Sequence, residues 1–139
     1  MIIERNFDME AKELMIGDWL FYSGQFNAFC FRVEQITRKK VGYHAEPNEF
    51  RMHYLRLSEC EPVPLTVKRL ELIGLEKVQN LYVLTVENKV FPGKIFFEYV
   101  LSNGSLYVND GLIPRPIRYV HQLQHAMRLC GIEKEITIY

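Results

Sequence analysis

Hydrophobic and polar positions in the first sixty residues alternate on a two-residue period, and this pattern predicts strands. "LMIGDWLFYSG" runs from Gly17-Asp18 through a block of aromatics to Ser23-Gly24, a strand bounded by two tight turns. In "NAFCFRVEQI" the period places Phe29, Phe31 and Val33 on one face and Arg32 and Glu34 on the other. Ile36 falls on the wrong parity for that face, so the register is expected to break at Gln35, as at a bulge. "VGYHA" is a short strand, and "MHYLRL" alternates Leu55 and Leu57 against Tyr54 and Arg56. Four or five short strands in so short a stretch predict a small, strongly bent antiparallel barrel of SH3-like type over residues 1–62.

The period then changes. In "ECEPVPLTVKRLELIGLEK", Pro62 and Pro64 keep the chain extended, Thr66 is a helix N-cap and Gly74 closes the helix at its C-terminal end. Leu65 and Leu70 fit the two positions of a hydrophobic staple. Lys68 and Arg69 oppose the helix dipole in the first turn, so this short helix must draw its stability from tertiary packing. "LYVLTV", "KVF", "KIFFEYVL" and "SLYV" follow as strands, and Asn103-Gly104 marks a hairpin. Pro114 and Pro116 end the last of them, and a helix from about Arg118 to Leu129, closed by Gly131, completes an α+β second half over residues 63–139. That half is therefore expected to hold the short middle helix, an antiparallel β-meander and a C-terminal amphipathic helix.

At helical spacing Val120, Leu123, Met127 and Cys130 share one side of the terminal helix, widened by Tyr119 and Ala126. His121, Gln124, His125 and Arg128 fall on the opposite side and are expected to meet water, a loop or a protein partner. His121 and His125 have the i, i+4 spacing that metal sites use, which makes a metal-binding helix face an alternative reading. Yet "HQLQH" lacks the glutamate that a metalloprotease helix places after its first histidine, and Cys130 points away from both rings. No metal and no cofactor is assigned.

Composition narrows the function classes. The 139-residue chain balances 17 basic against 17 acidic residues, so no net field draws it to nucleic acid or to an anionic membrane. The longest basic run is Arg38-Lys39-Lys40; with Tyr43, and Arg32 in support, it forms the candidate surface for an alternative, nucleic-acid-binding reading. "MIIERNFDMEAKEL" has no uninterrupted apolar core of the kind a signal peptide carries, and no run approaches the ~20 apolar residues of a membrane span. Three widely spaced cysteines fit neither a disulfide framework nor a zinc knuckle. A cytoplasmic protein is the expectation. The sequence contains no GxSxG elbow, no glycine-rich phosphate loop and no HExxH, so no residue set supports an enzyme.

"AKELMIGDWL", "EPVPLT...L...GLEK" and "YVHQLQHAMRLCGIEKEI", in that order, resemble a group of short uncharacterised proteins of Bacteroides-type gut bacteria, their phages and conjugative elements. Members of the group open on an "ELRIGN"-like stretch, carry an "I.PIPLTEE.L...GF" middle and finish on a "YVHQLQNL" helix. Here Met15 and Asp18 stand in place of the usual Arg and Asn, Val67-Lys68 in place of the acidic helix start, and Leu75 in place of the Phe. The resemblance brings no activity with it. It implies a bacterial cytoplasmic protein of mobile-element or phage origin, for which a non-catalytic protein-interaction module is the leading expectation.

Overall fold

Two compact units, Met1–Val63 and Pro64–Tyr139, divide the chain in a computed structural model that describes residues 9–24, 27–87, 93–132 and 134–138. The fold is α+β, with antiparallel sheets and two α-helices. Among the described residues no helix is long and apolar enough to cross a membrane.

In the first unit, a 3₁₀ turn at Ala11–Glu13 leads to β1 (Trp19–Ser23), β2 (Ala28–Arg32), β3 (Gln35–Ile36), β4 (Lys40–Tyr43), β5 (His53–Arg56) and β6 (Cys60–Pro62). They form two three-stranded sheets, ordered β2-β1-β6 and β3-β4-β5. Neither sheet closes into a barrel, where the strand pattern predicts a small, strongly bent one of SH3-like type. The Val33 amide donates to the Asp18 carbonyl beside the first sheet (2.8 Å), and the Glu34 amide donates to Gly42 in the second (2.8 Å). The chain thus changes sheets at 33–34, and the parity break anticipated at Gln35 marks this bend. Between β5 and β6 a second change of direction runs through a 3₁₀ turn, Leu57–Glu59.

Period-two alternation decides what lies inside this unit. Leu14, Leu20, Phe31, Val33, Val41, Leu57 and Cys60 form its buried core, with Tyr22, Phe29, Tyr43 and Leu55 partly buried against them. The Asp18 side chain is also buried; its carboxylate accepts the Met15 amide at 2.8 Å and so fastens the turn that leads into β1. The Cys60 thiol donates to the Arg56 carbonyl at 3.4 Å, and burial, followed by the Glu59 carboxylate, pushes its pKa from 9.0 up to about 12. An unfolded chain loses this proton first as pH rises. The group's stabilising contribution is therefore complete below about pH 9 and is lost toward pH 12. Burial also raises Tyr43, Tyr99 and Cys130, in the same direction. Iodoacetamide at pH 8 should leave Cys60 unlabelled in the native protein and label it fully in urea, as read by peptide mass mapping; rapid native labelling would show that the thiol is open.

The second unit begins with α1 (Val67–Ile73). The Thr66 hydroxyl accepts the Arg69 amide at 3.3 Å, and Leu65 and Leu70 of the staple are both buried. At the other end Gly74 adopts φ +111°, a left-handed conformation that a Cβ would strain. Its amide and that of Leu75 both return to the Leu70 carbonyl, and Leu75 is buried. Lys134 donates to the Ile73 carbonyl at 2.8 Å, placing a cation at the negative end of the helix.

Next come β7 (Glu76–Val78), β8 (Leu81–Glu87), β9 (Lys94–Val100), β10 (Ser105–Val108) and β11 (Gly111–Leu112), a five-stranded meander in reverse sequence order. β7 and β11 lack a hydrophobic period and were invisible in the pattern; the strand expected at "KVF" lies outside the described residues. Alternation buries Tyr82, Leu84, Ile95, Phe97, Tyr99 and Leu106 on one face, and leaves Phe96 exposed on the other. The Asn103-Gly104 hairpin joins β9 to β10 as expected, through a loop in which the Gly104 amide returns to Val100 at 2.8 Å. Gly104 then accepts the Ile117 amide at 2.7 Å, and the buried Tyr99 hydroxyl donates to the Ile117 carbonyl at 2.7 Å. Those bonds fix the lead-in to α2 (Val120–Leu129), where the Gln122 side chain reaches back to accept the Arg118 and Tyr119 amides at 2.8 and 3.2 Å. Gly131 and Ile132 close α2 by donating to Arg128 and Met127, the same closure that ends α1.

Candidate functional site

The strand register of the first unit gathers aromatic side chains from four strands. Tyr22 on β1 sits opposite Phe29 on β2, and Tyr43 on β4 sits opposite His53 on β5. Their rings form a chain: Tyr22 to Phe29 at 5.4 Å, Phe29 to Tyr43 at 5.6 Å and Tyr43 to His53 at 5.4 Å between centroids. Phe31 lies beneath, 5.0 Å from Tyr43, and is buried. The other four rings are half-buried, so part of each remains available to a ligand. Gly24 follows Tyr22 and has no Cβ, which is what admits the Tyr22 ring there: a side chain at that position would strike it.

Carboxylates rim this patch on two sides. Glu49, in the loop between β4 and β5, accepts from His53 Nε2 at 2.7 Å through Oε1, and from the amides of Ala45 (3.0 Å) and Glu46 (3.4 Å) through Oε2. The His53 bond first, and then the two amides, hold the Glu49 carboxyl below its usual pKa. On the opposite side the Tyr22 hydroxyl reaches Glu59 at 3.5 Å. Burial and then the nearby Glu49 charge raise the Tyr43 phenol. Beside Glu49, Phe50 is fully exposed. His44 pairs with Glu34 at the start of the same loop.

The five residues read from sequence as a nucleic-acid surface do not share one face. Arg38 and Lys39 occupy the exposed turn between β3 and β4, fastened by Thr37, whose hydroxyl accepts the Lys40 amide at 3.1 Å. Lys40 is exposed on the opposite side of β4 from Val41 and Tyr43, by strand alternation. Arg32 points to the other face of β2, where its guanidinium lies 6.0 Å from the Trp19 ring centre. Tyr43 belongs to the acid-rimmed patch instead.

The polar side of the terminal helix, expected to meet water, a loop or a protein partner, is largely enclosed. His121 and Gln124 are each only 6% exposed, and His125 and Arg128 are half-buried. Only Leu129 stands open, at 90%. The His121 ring stacks on Tyr119 (6.1 Å, 12° between planes) and meets His125 edge-on at 5.6 Å. Among the described residues no group of three or more His, Cys, Asp or Glu side chains is arranged to hold a metal ion.

No protein family, curated protein or solved structure matches this chain. The site must be read from its own chemistry. Of the patch residues, the sequence pointed to Tyr43 alone as a candidate site residue. Tyr22 and Phe29 carried a signal, since both sit at inward parity near a strand end, where a small sheet runs out of cover. Glu49 and Glu59 carried none, because a loop and a 3₁₀ turn bring them to the rings.

Proposed function

We propose that the chain is a non-catalytic protein-interaction module of a bacterial mobile element or phage, acting in the cytoplasm, with an N-terminal unit of SH3-like type. The observation that carries this reading is the half-exposed surface shared by Tyr22, Phe29 and Tyr43. Large rings left partly in water offer much apolar area at little entropic cost, the property that concentrates binding energy at protein interfaces. Phe50, next to Glu49 in the β4–β5 loop, is a second large apolar side chain, fully exposed to water. The change of sheet at Val33–Glu34 supports the SH3-like assignment, since a bent strand shared by two small sheets is how such folds turn a corner.

Affinity capture from a host lysate, followed by titration of the purified candidate, tests the reading. A Phe50→Ser variant should keep its melting temperature, because an exposed side chain contributes within about 0.5 kcal/mol, and should weaken a genuine partner at least several-fold. Phe96→Ser, on the outward face of β9, is the control. A partner lost by the control and kept by Phe50→Ser would move the interface to the meander; failure of every purified candidate to bind would overturn the module reading. The exposed Arg38, Lys39 and Lys40 support nucleic-acid binding as a second reading. Fluorescence anisotropy with single- and double-stranded oligonucleotides decides that one: absence of salt-dependent binding at micromolar protein rejects it.

A further inference from the structure

We infer that the aromatic patch of the N-terminal unit receives the guanidinium group of an arginine side chain presented by a partner protein. The inference rests on the interaction-module reading and specifies its ligand. Ring faces carry negative potential, so the rings of Tyr22, Phe29 and Tyr43 attract a cation placed over them. Two carboxylates flank those rings, Glu49 on the Tyr43 side and Glu59 on the Tyr22 side. The Glu49 carboxylate is held in place by the His53 bond and by two backbone amides, which keep its pKa below the usual value. A phosphate or an acidic peptide would meet repulsion at this surface. A purely apolar ligand would strand the carboxylates away from water.

Among cations, shape selects arginine. A guanidinium is planar, can lie flat on a ring and still donate in its own plane to a carboxylate at the edge; an ammonium group can do only one of these well. The molecule already contains the first half of that arrangement, in Arg32 over Trp19. The hydrogen bonds to Ala45 and Glu46 fix the backbone on the Glu49 side, so the acid is positioned before the ligand arrives.

The test uses the full chain and three short synthetic peptides that differ only in a central arginine, citrulline or lysine, followed by NMR. The arginine peptide should shift the ring signals of Tyr22, Phe29 and Tyr43 in a saturable way, and binding should weaken as salt rises. Citrulline, which keeps the shape and loses the charge, should bind at least about tenfold more weakly, and lysine more weakly than arginine. Glu59→Gln, a change at an exposed site that leaves the fold intact, should weaken the arginine peptide several-fold. Equal binding of the citrulline or lysine peptide, shifts confined to other residues, or an unsaturable response would overturn the inference. A partner protein that loses affinity for Phe50→Ser, while arginine peptides do not bind, would remove arginine as the ligand and leave the module reading standing.

Discussion

Leu123→Ala should lower the free energy of unfolding by ~2–5 kcal/mol, the cost of lost burial plus the cavity left behind. Leu123 has no exposed surface, and Val120 and Met127 on the same stripe are equally enclosed. A loss of that size is a large share of the ~5–15 kcal/mol that holds a typical domain together. Urea unfolding followed by far-ultraviolet circular dichroism measures it; a loss below about 1 kcal/mol would mean that the helix is not closing a core. His121→Ala supplies the contrast. A solvated histidine would cost well under ~1 kcal/mol, but a buried ring stacked on Tyr119 should cost ~1 kcal/mol or more. His125→Ala, half-buried, should fall between the two.

Tyr99→Phe should cost about 1–3 kcal/mol by deleting a single oxygen, because the Ile117 carbonyl would lose its buried donor. The bond joins the central strand of the meander to the segment that launches α2, eighteen residues later, and Tyr99 is nearly inaccessible to water. Tyr54→Phe removes the same atom from a hydroxyl that donates to Gln35 at 2.9 Å on an exposed surface, and should change stability by less than about 0.5 kcal/mol. Parallel thermal melts of the two variants check the difference. Equal effects would show that the Tyr99 bond is replaced by water when it is cut.

The local signals that proved legible are those whose physics lies within a few residues. Thr66 caps α1 and Gly74 ends it because both effects depend on nearby backbone amides and on one left-handed residue. The alternation of Phe31 and Val33 with Arg32 and Glu34 is visible in the chain and reappears in burial, since strand geometry sends neighbours to opposite faces. Asn103-Gly104 announces its hairpin for the same reason. By contrast β7 and β11 have no period to detect; they exist because β8 and β10 offer them backbone partners.

Tertiary structure alone decided the rest. The parity break near Gln35 indicated a disturbance, but only the bonds from Val33 to Asp18 and from Glu34 to Gly42 turn it into a change of sheet. Helical spacing separates Leu123 from His121 and His125 around α2, yet periodicity reports direction and not what lies in that direction. His121 and Gln124 were expected to meet water, a loop or a protein partner, and both are buried. The aromatic patch joins strands β1, β2, β4 and β5 with carboxylates drawn from a loop and a 3₁₀ turn, spanning from Tyr22 to Glu59. Each residue is ordinary in its own segment, and only the folded chain sets them side by side, because a site assembled from distant segments leaves no period, spacing or local motif in any one of them.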